Sequence, residues 1–133
     1  MANITLQLSQ SSATSMKLEH ETFSVLIDRP VEKGGGGTGL MGGQYLLIGV
    51  GGCFCSNLFA AAQARDITIE GLVLTIGATI SDDSPKRFTE LDLQLSYQVC
   101  SEAEMFPKLL QIAEKGCISV NTLMQGAQVT VSG

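Results

Sequence analysis

Tryptophan is absent from this sequence, tyrosine occurs twice and histidine once. So few flat aromatic side chains exclude a platform on which nucleic-acid bases could stack. Charge is scarce as well: 16% of the residues are charged, with eight Lys and Arg against thirteen Asp and Glu, for a net charge of -5. No basic patch is present to attract a phosphate backbone or an anionic lipid surface, so neither nucleic acid nor membrane is an expected partner. Four cysteines in 133 residues are too few for a disulfide scaffold. A single histidine excludes a His-rich metal site, and a His-based triad would rest on His20 alone. The opening MANITLQLSQ lacks a basic stretch followed by an apolar run, so no signal peptide is read there. The expected compartment is the cytoplasm, where thiols stay reduced.

What the chain does have is apolar mass. Apolar residues make up 44% of it, which excludes a disordered chain and suits one domain over 1–133. Ile4, Leu6 and Leu8 alternate with polar residues and predict a strand. Further strands are predicted over Met16–Glu19 and Phe23–Asp28, with His20 and Glu21 in the turn between them. The loop RPVEKGGGGTG follows, with Pro30 and five glycines. From Gly34 to Ala64 no charged residue occurs. The part from about Gly42 to Ala64 reads as a long buried helix. Leu47, Val50, Phe54, Leu58 and Ala61 form one apolar face of it. Gly49, Cys53, Ser56 and Ala60 form a second face of small residues. The segment has the length of a membrane span, but its glycines, Gln44, Ser56 and Asn57, and its lack of an aromatic belt, favour a core helix.

Two clear strands come next. Leu72, Leu74, Ile76, Ala78 and Ile80 alternate with smaller or polar residues, as do Leu91, Leu93, Leu95, Tyr97 and Val99 with polar ones. The link SDDSPKR predicts an antiparallel hairpin with one wet face. Ser101 and Glu104 have capping-box spacing and predict the start of a second helix, although Pro107 then falls beyond its first turn. Phe106, Leu109, Leu110 and Ala113 form its buried stripe, and Gly116 ends it. A short helical turn over Cys117–Met124 and a strand over Ala127–Val131 complete the expected order. The fold class is α+β.

Gly37, Gly39 and Gly42 spell GxGxxG. A dinucleotide site needs that motif directly after a strand in a βαβ unit, and here eight residues separate Asp28 from Gly37. The plainer reading is a flexible loop leading into a close-packed helix. Cys53 and Cys55, two apart on a helix, point about 200° from one another and cannot share an ion. No CxxC knuckle brings in Cys100 and Cys117, so no metal and no cofactor is expected.

Thiol chemistry remains. Cys55 and Cys100 read as small buried hydrophobes. Cys53, on the small-residue face, could be reached from outside. Cys117 opens a helix, where free N–H groups favour a thiolate. Cys53, in mid-helix, has no such help, and its pKa is expected to stay near or above the usual thiol value.

The segments GGQYLLIGVGGCFCSNL and KGCISVNTL, with their cysteines sixty-four residues apart, and the stretches GGGGTG and SPKRFTELDLQLSYQV together resemble the OsmC/Ohr family. The resemblance implies an OsmC-like fold, with antiparallel sheets packed on a long central helix in an intertwined homodimer. It implies a thiol-dependent peroxidase for organic hydroperoxides, with Cys53 attacking, Cys117 resolving and an external dihydrolipoyl-like dithiol as reductant. Apolar walls would favour fatty or aryl hydroperoxides. Gly43 stands where the family's peroxidases carry a glutamate, ten residues before the attacking cysteine. No arginine precedes Arg29, so Lys17, Arg29 and Lys33 are the basic residues available to replace the family's N-terminal arginine. The alternative is a protein of this fold without peroxidase activity. It would bind a small apolar ligand, or perform other cysteine sulfur chemistry, at the dimer interface.

Overall fold

Near the N-terminus, alternation of apolar and polar residues produces a three-stranded antiparallel sheet: β1 (Leu8–Gln10), β2 (Met16–His20) and β3 (Phe23–Ile27), in that spatial order. The computed structural model describes residues 2–133. The strand expected over Ile4–Leu8 starts at Leu8 instead. Its register sets Leu8 against Leu18. Continued backwards, that register would set Ile4 against the turn after β2, where no strand is left to pair. His20 closes β2 opposite Phe23, and the turn is carried by Glu21, with φ 54°.

The glycine loop after β3 is organised by one buried carboxylate. Asp28 accepts hydrogen bonds from the hydroxyls of Thr14 (2.9 Å) and Thr38 (2.7 Å). It also accepts from the N–H groups of Arg29 (2.7 Å), Gly36 (3.2 Å) and Thr38 (3.3 Å). The Thr38 hydroxyl first, then Thr14 and the amides, hold this carboxyl well below the usual carboxylate range against the opposing effect of burial. The glycines let the loop lie against the strand it leaves. A Cβ on Gly35 would run into the Arg29 carbonyl, and one on Gly39 into the Leu26 carbonyl. Of the GxGxxG glycines, Gly39 thus serves backbone-to-backbone packing and Gly37 a left-handed turn with φ 66°.

The long helix α1 spans Gly42–Gln63, one residue short of the expected end. Its start is capped from within: the Met41 N–H donates to the Gln44 side chain (2.9 Å). The Tyr45 hydroxyl donates to the Leu26 carbonyl (2.7 Å). Its end is a left-handed turn with Asp66 at φ 53°. There the Ile67 N–H reaches the Ala62 carbonyl (2.9 Å) and the Asp66 N–H the Gln63 carbonyl (3.2 Å). That is the Schellman pattern, closed by buried Ile67.

The chain divides into two compact units, the first ending at Leu46 and the second running Leu47–Gly133. The second unit contains β4 (Ile69–Glu70), β5 (Val73–Ile80), β6 (Phe88–Ser96), β7 (Val99–Cys100), α2 (Phe106–Gly116) and α3 (Ile118–Gln125). β5 pairs with β6, and β4 with β7, both antiparallel. Leu74, Leu93, Leu95 and Tyr97 pack against the core while Thr75, Asp92, Gln94 and Ser96 stay exposed, as the alternation predicts. The core joins Phe54, Leu58, Ala61 and Ala62 of α1 to Ile67, Phe106, Leu109, Ala113 and Cys117. Tyr97 and Phe106 lie with ring centroids 4.6 Å apart. α1 is long and apolar enough to cross a membrane by length and composition. Its Phe54–Leu58–Ala61 side is taken up by this core.

Two expectations fail. Ser101 does not cap the second helix; it accepts the Thr68 N–H (2.9 Å) and returns its own N–H to the Thr68 carbonyl (2.9 Å). A 3₁₀ turn over Ala103–Met105 leads into α2 instead, and Pro107 falls in the first turn of α2, where its missing N–H costs nothing. Ala127–Val131 forms no strand among the described residues. Val129 and Val131 are exposed, and a period-two pattern becomes a strand only beside an edge that pairs with it.

Candidate functional site

α1 and the junction between α2 and α3 bring Cys53 and Cys117 together. Cys53 is half-buried at the margin of the core cluster, and Cys117 is wholly buried within it. Around Cys53 the α1 surface is open, since Gly49, Gly52, Ser56 and Ala60 are all exposed. The small-residue face is thus accessible in the single chain, as its composition implies. Cys117 stands at the N-cap of α3, and the Asn121 N–H donates to its carbonyl (3.0 Å).

The two sulfurs differ in charge preference. The Ser119 hydroxyl, and next the Ser119 N–H, lower the pKa of Cys53. Burial opposes them, and the Cys117 thiol and the Ile118 N–H add smaller lowering effects. Among the described residues no Lys or Arg of this unit takes part. Cys117 shifts the other way: burial pushes its thiol up, and so does giving its hydrogen bond to the negative Cys53 sulfur. The Val120 N–H offsets this in part.

Both expectations about thiol acidity are therefore reversed. Cys53 lacks help from its own helix, but its side chain faces the first turn of another, where backbone N–H groups have no intrahelical partner. Cys117 stands at that same helix start, yet burial and its neighbour keep its proton on.

Asn57, one turn after Cys53, completes the surroundings. Its Nδ2 donates to the Cys53 carbonyl (2.9 Å) and lies 3.8 Å from Cys53 Sγ. Sequence reasoning did not single out Asn57 or Ser119. The first was legible as an i, i+4 neighbour of Cys53; the second is brought in only by the fold.

Neither Cys55 nor Cys100 is among the groups that bond to this pair. Cys55 is half-buried, and burial alone pushes its thiol up. Cys100 pairs with Ile69 at the end of β7. His20 is exposed at the end of β2, and Lys17 forms an exposed ion pair with Glu19 (2.9 Å). Arg29 and Lys33 are exposed in the first unit, and Gly43 is the second residue of α1. Among the described residues no three His, Cys, Asp or Glu side chains gather to hold a metal ion.

A family profile described as OsmC-like protein matches residues 34–132. No curated protein matches the chain by sequence. Among solved structures, the chain is similar to an OsmC-like protein from Mycoplasma pneumoniae. That pair shares 23% identity at a TM-score of 0.77, over 95% of this chain and 89% of the other. It is similar to an organic hydroperoxide resistance protein from Legionella pneumophila, at 20% identity and a TM-score of 0.65, over 92% of this chain and 91% of the other. A third similar structure is an organic hydroperoxide resistance protein from Elizabethkingia anophelis, at 16% identity and a TM-score of 0.67, over 94% and 91%. These likenesses establish the fold.

Proposed function

This chain belongs to the OsmC-like protein family, and we propose that within it the chain is a thiol-dependent peroxidase that reduces organic hydroperoxides. One observation carries the reading: the fold sets a half-exposed Cys53 sulfur beside the buried Cys117 sulfur, with neighbouring donors favouring the Cys53 thiolate. An attacking thiolate with a second sulfur in reach is the pairing the chemistry uses. The Cys53 thiolate attacks the terminal oxygen of ROOH, the O–O bond breaks, and the alkoxide takes a proton to leave as ROH. Cys53 is then a sulfenic acid. The Cys117 sulfur displaces the hydroxyl, which leaves as water with the Cys117 proton, and a disulfide forms. An external dithiol of dihydrolipoyl type reduces that disulfide by exchange and becomes a disulfide itself. A reducing compartment such as the cytoplasm would keep the pair ready.

The reading includes a homodimer. Ile48 (54% exposed) and Phe59 (44% exposed) put apolar area on the surface of α1, which a second copy would cover. The same apolar surroundings support fatty or aryl hydroperoxides as substrates over hydrogen peroxide.

The test is thiol counting after one equivalent of cumene hydroperoxide. Two thiols per chain are expected to vanish together. Cys53→Ser removes turnover, and Cys117→Ser accumulates a sulfenic acid that a dimedone-type reagent traps. Loss of Cys55 or Cys100 ahead of Cys53 would refute the assignment.

A further inference from the structure

We infer that the Asn57 carboxamide, which reaches Sγ at 3.8 Å, orients and stabilises the attacking Cys53 sulfur, with the Ser119 hydroxyl at the start of α3 as a second neutral donor. The inference rests on the reading of Cys53 as the attacking thiol. Asn57 is held at one end of its side chain and lies against α2 at the other. Nδ2 holds the Cys53 carbonyl at 2.9 Å and reaches Sγ at 3.8 Å. Oδ1 lies against the end of α2, so close that a Cβ on Gly116 would come within 3.1 Å of it. Asn57 thus stands between the attacking cysteine and Gly116, the residue before the resolving one. Ser119 is the second residue of α3, directly after the N-cap Cys117 and Ile118. At that position the backbone N–H is free of intrahelical bonding, and hydroxyl and amide can serve one acceptor together.

Such a donor set behaves differently from a cation. Hydrogen bonds to a charged sulfur are short-range and little affected by ionic strength, whereas the field of a Lys or Arg near the surface is screened by salt. It also fixes direction: the sulfur lone pair that no donor occupies is the one left for the incoming peroxide.

The experiment follows alkylation of reduced protein by iodoacetamide from pH 5 to 10, with Cys53 quantified by peptide mass spectrometry. Ser119→Ala is expected to move the Cys53 midpoint up by about one pH unit and slow alkylation at pH 7 about tenfold. Ser119→Thr restores most of that rate. Asn57→Ala slows alkylation about threefold. Adding KCl leaves the wild-type midpoint in place. Unchanged midpoints in both alanine variants overturn the inference, as does a midpoint that climbs steeply with salt. Where one variant does not fold, the other and the salt series on the wild-type protein decide. No peroxide enters this measurement. If wild-type protein fails to turn over cumene hydroperoxide while these shifts appear, the peroxidase reading falls and the donor assignment stands.

Discussion

Two polar sites, one in each unit, gather neutral donors around an acidic group and leave it in opposite conditions. Around Asp28 every direction is filled: two hydroxyls and three backbone N–H groups converge on a buried carboxylate. Around Cys53 the donors come from Asn57, Ser119, Ile118 and Cys117, and the sulfur remains half-exposed on a surface of small residues. The first arrangement leaves no lone pair for chemistry, and its product is a fixed loop. The second leaves one side open, as the proposed role of Cys53 as a nucleophile requires. Saturation, rather than the kind of donor, separates the two sites.

The sharpest way to break that contrast is Asp28→Asn. The amide would turn an NH2 group toward donors already aimed at the carboxylate, leaving buried N–H or O–H groups without acceptors. A fall of about 10 °C in Tm is expected, read by calorimetry or circular dichroism. The effect depends on pH with a definite sign. Folding depresses the Asp28 pKa below its ordinary value of 3.8. Its stabilisation is therefore complete above that value and is lost as pH falls toward the depressed one. The Tm gap between wild type and variant should be constant from pH 7 to 5 and narrow steadily below about pH 4.

A smaller test addresses the open site. In Gly116→Ala the new methyl meets Asn57 Oδ1 at 3.1 Å, so the carboxamide must shift by a few tenths of an ångström. Cys53 alkylation at pH 7 should slow about twofold to threefold, with little change in Tm. The mildest change is a control. Asp66 occupies a left-handed position that glycine adopts freely. Asp66→Gly should stabilise the protein by about 0.5–1 kcal/mol in denaturant unfolding. It should leave the Cys53 alkylation profile where it was, because it touches neither polar site.

Local pattern carried much of this fold. The alternation along β5 and β6 foretold which side of the hairpin packs inward, and the Phe106–Leu109–Ala113 stripe foretold the buried face of α2. The apolar face of α1 was equally plain. What local pattern missed was decided by distant partners. Ser101 had cap spacing, but Thr68, far back in the chain, offered a two-way backbone pairing. Val129 and Val131 had strand spacing, but no described edge pairs with them. At the site, both cysteines stood out by type and surroundings. The reversal of their acidities did not, because the helix start that favours the Cys53 thiolate belongs to α3, which begins at Ile118.

The complete shielding of Cys117 has a kinetic consequence on the peroxidase reading. In a bridge between the two sulfurs, an incoming thiolate meets the Cys53 side, so Cys117 must depart. A thiol that holds its proton tightly is a poor leaving group in exchange. Recycling would then be the slower half of the cycle. The supply of dithiol, more than the supply of peroxide, would set the pace at which the protein works.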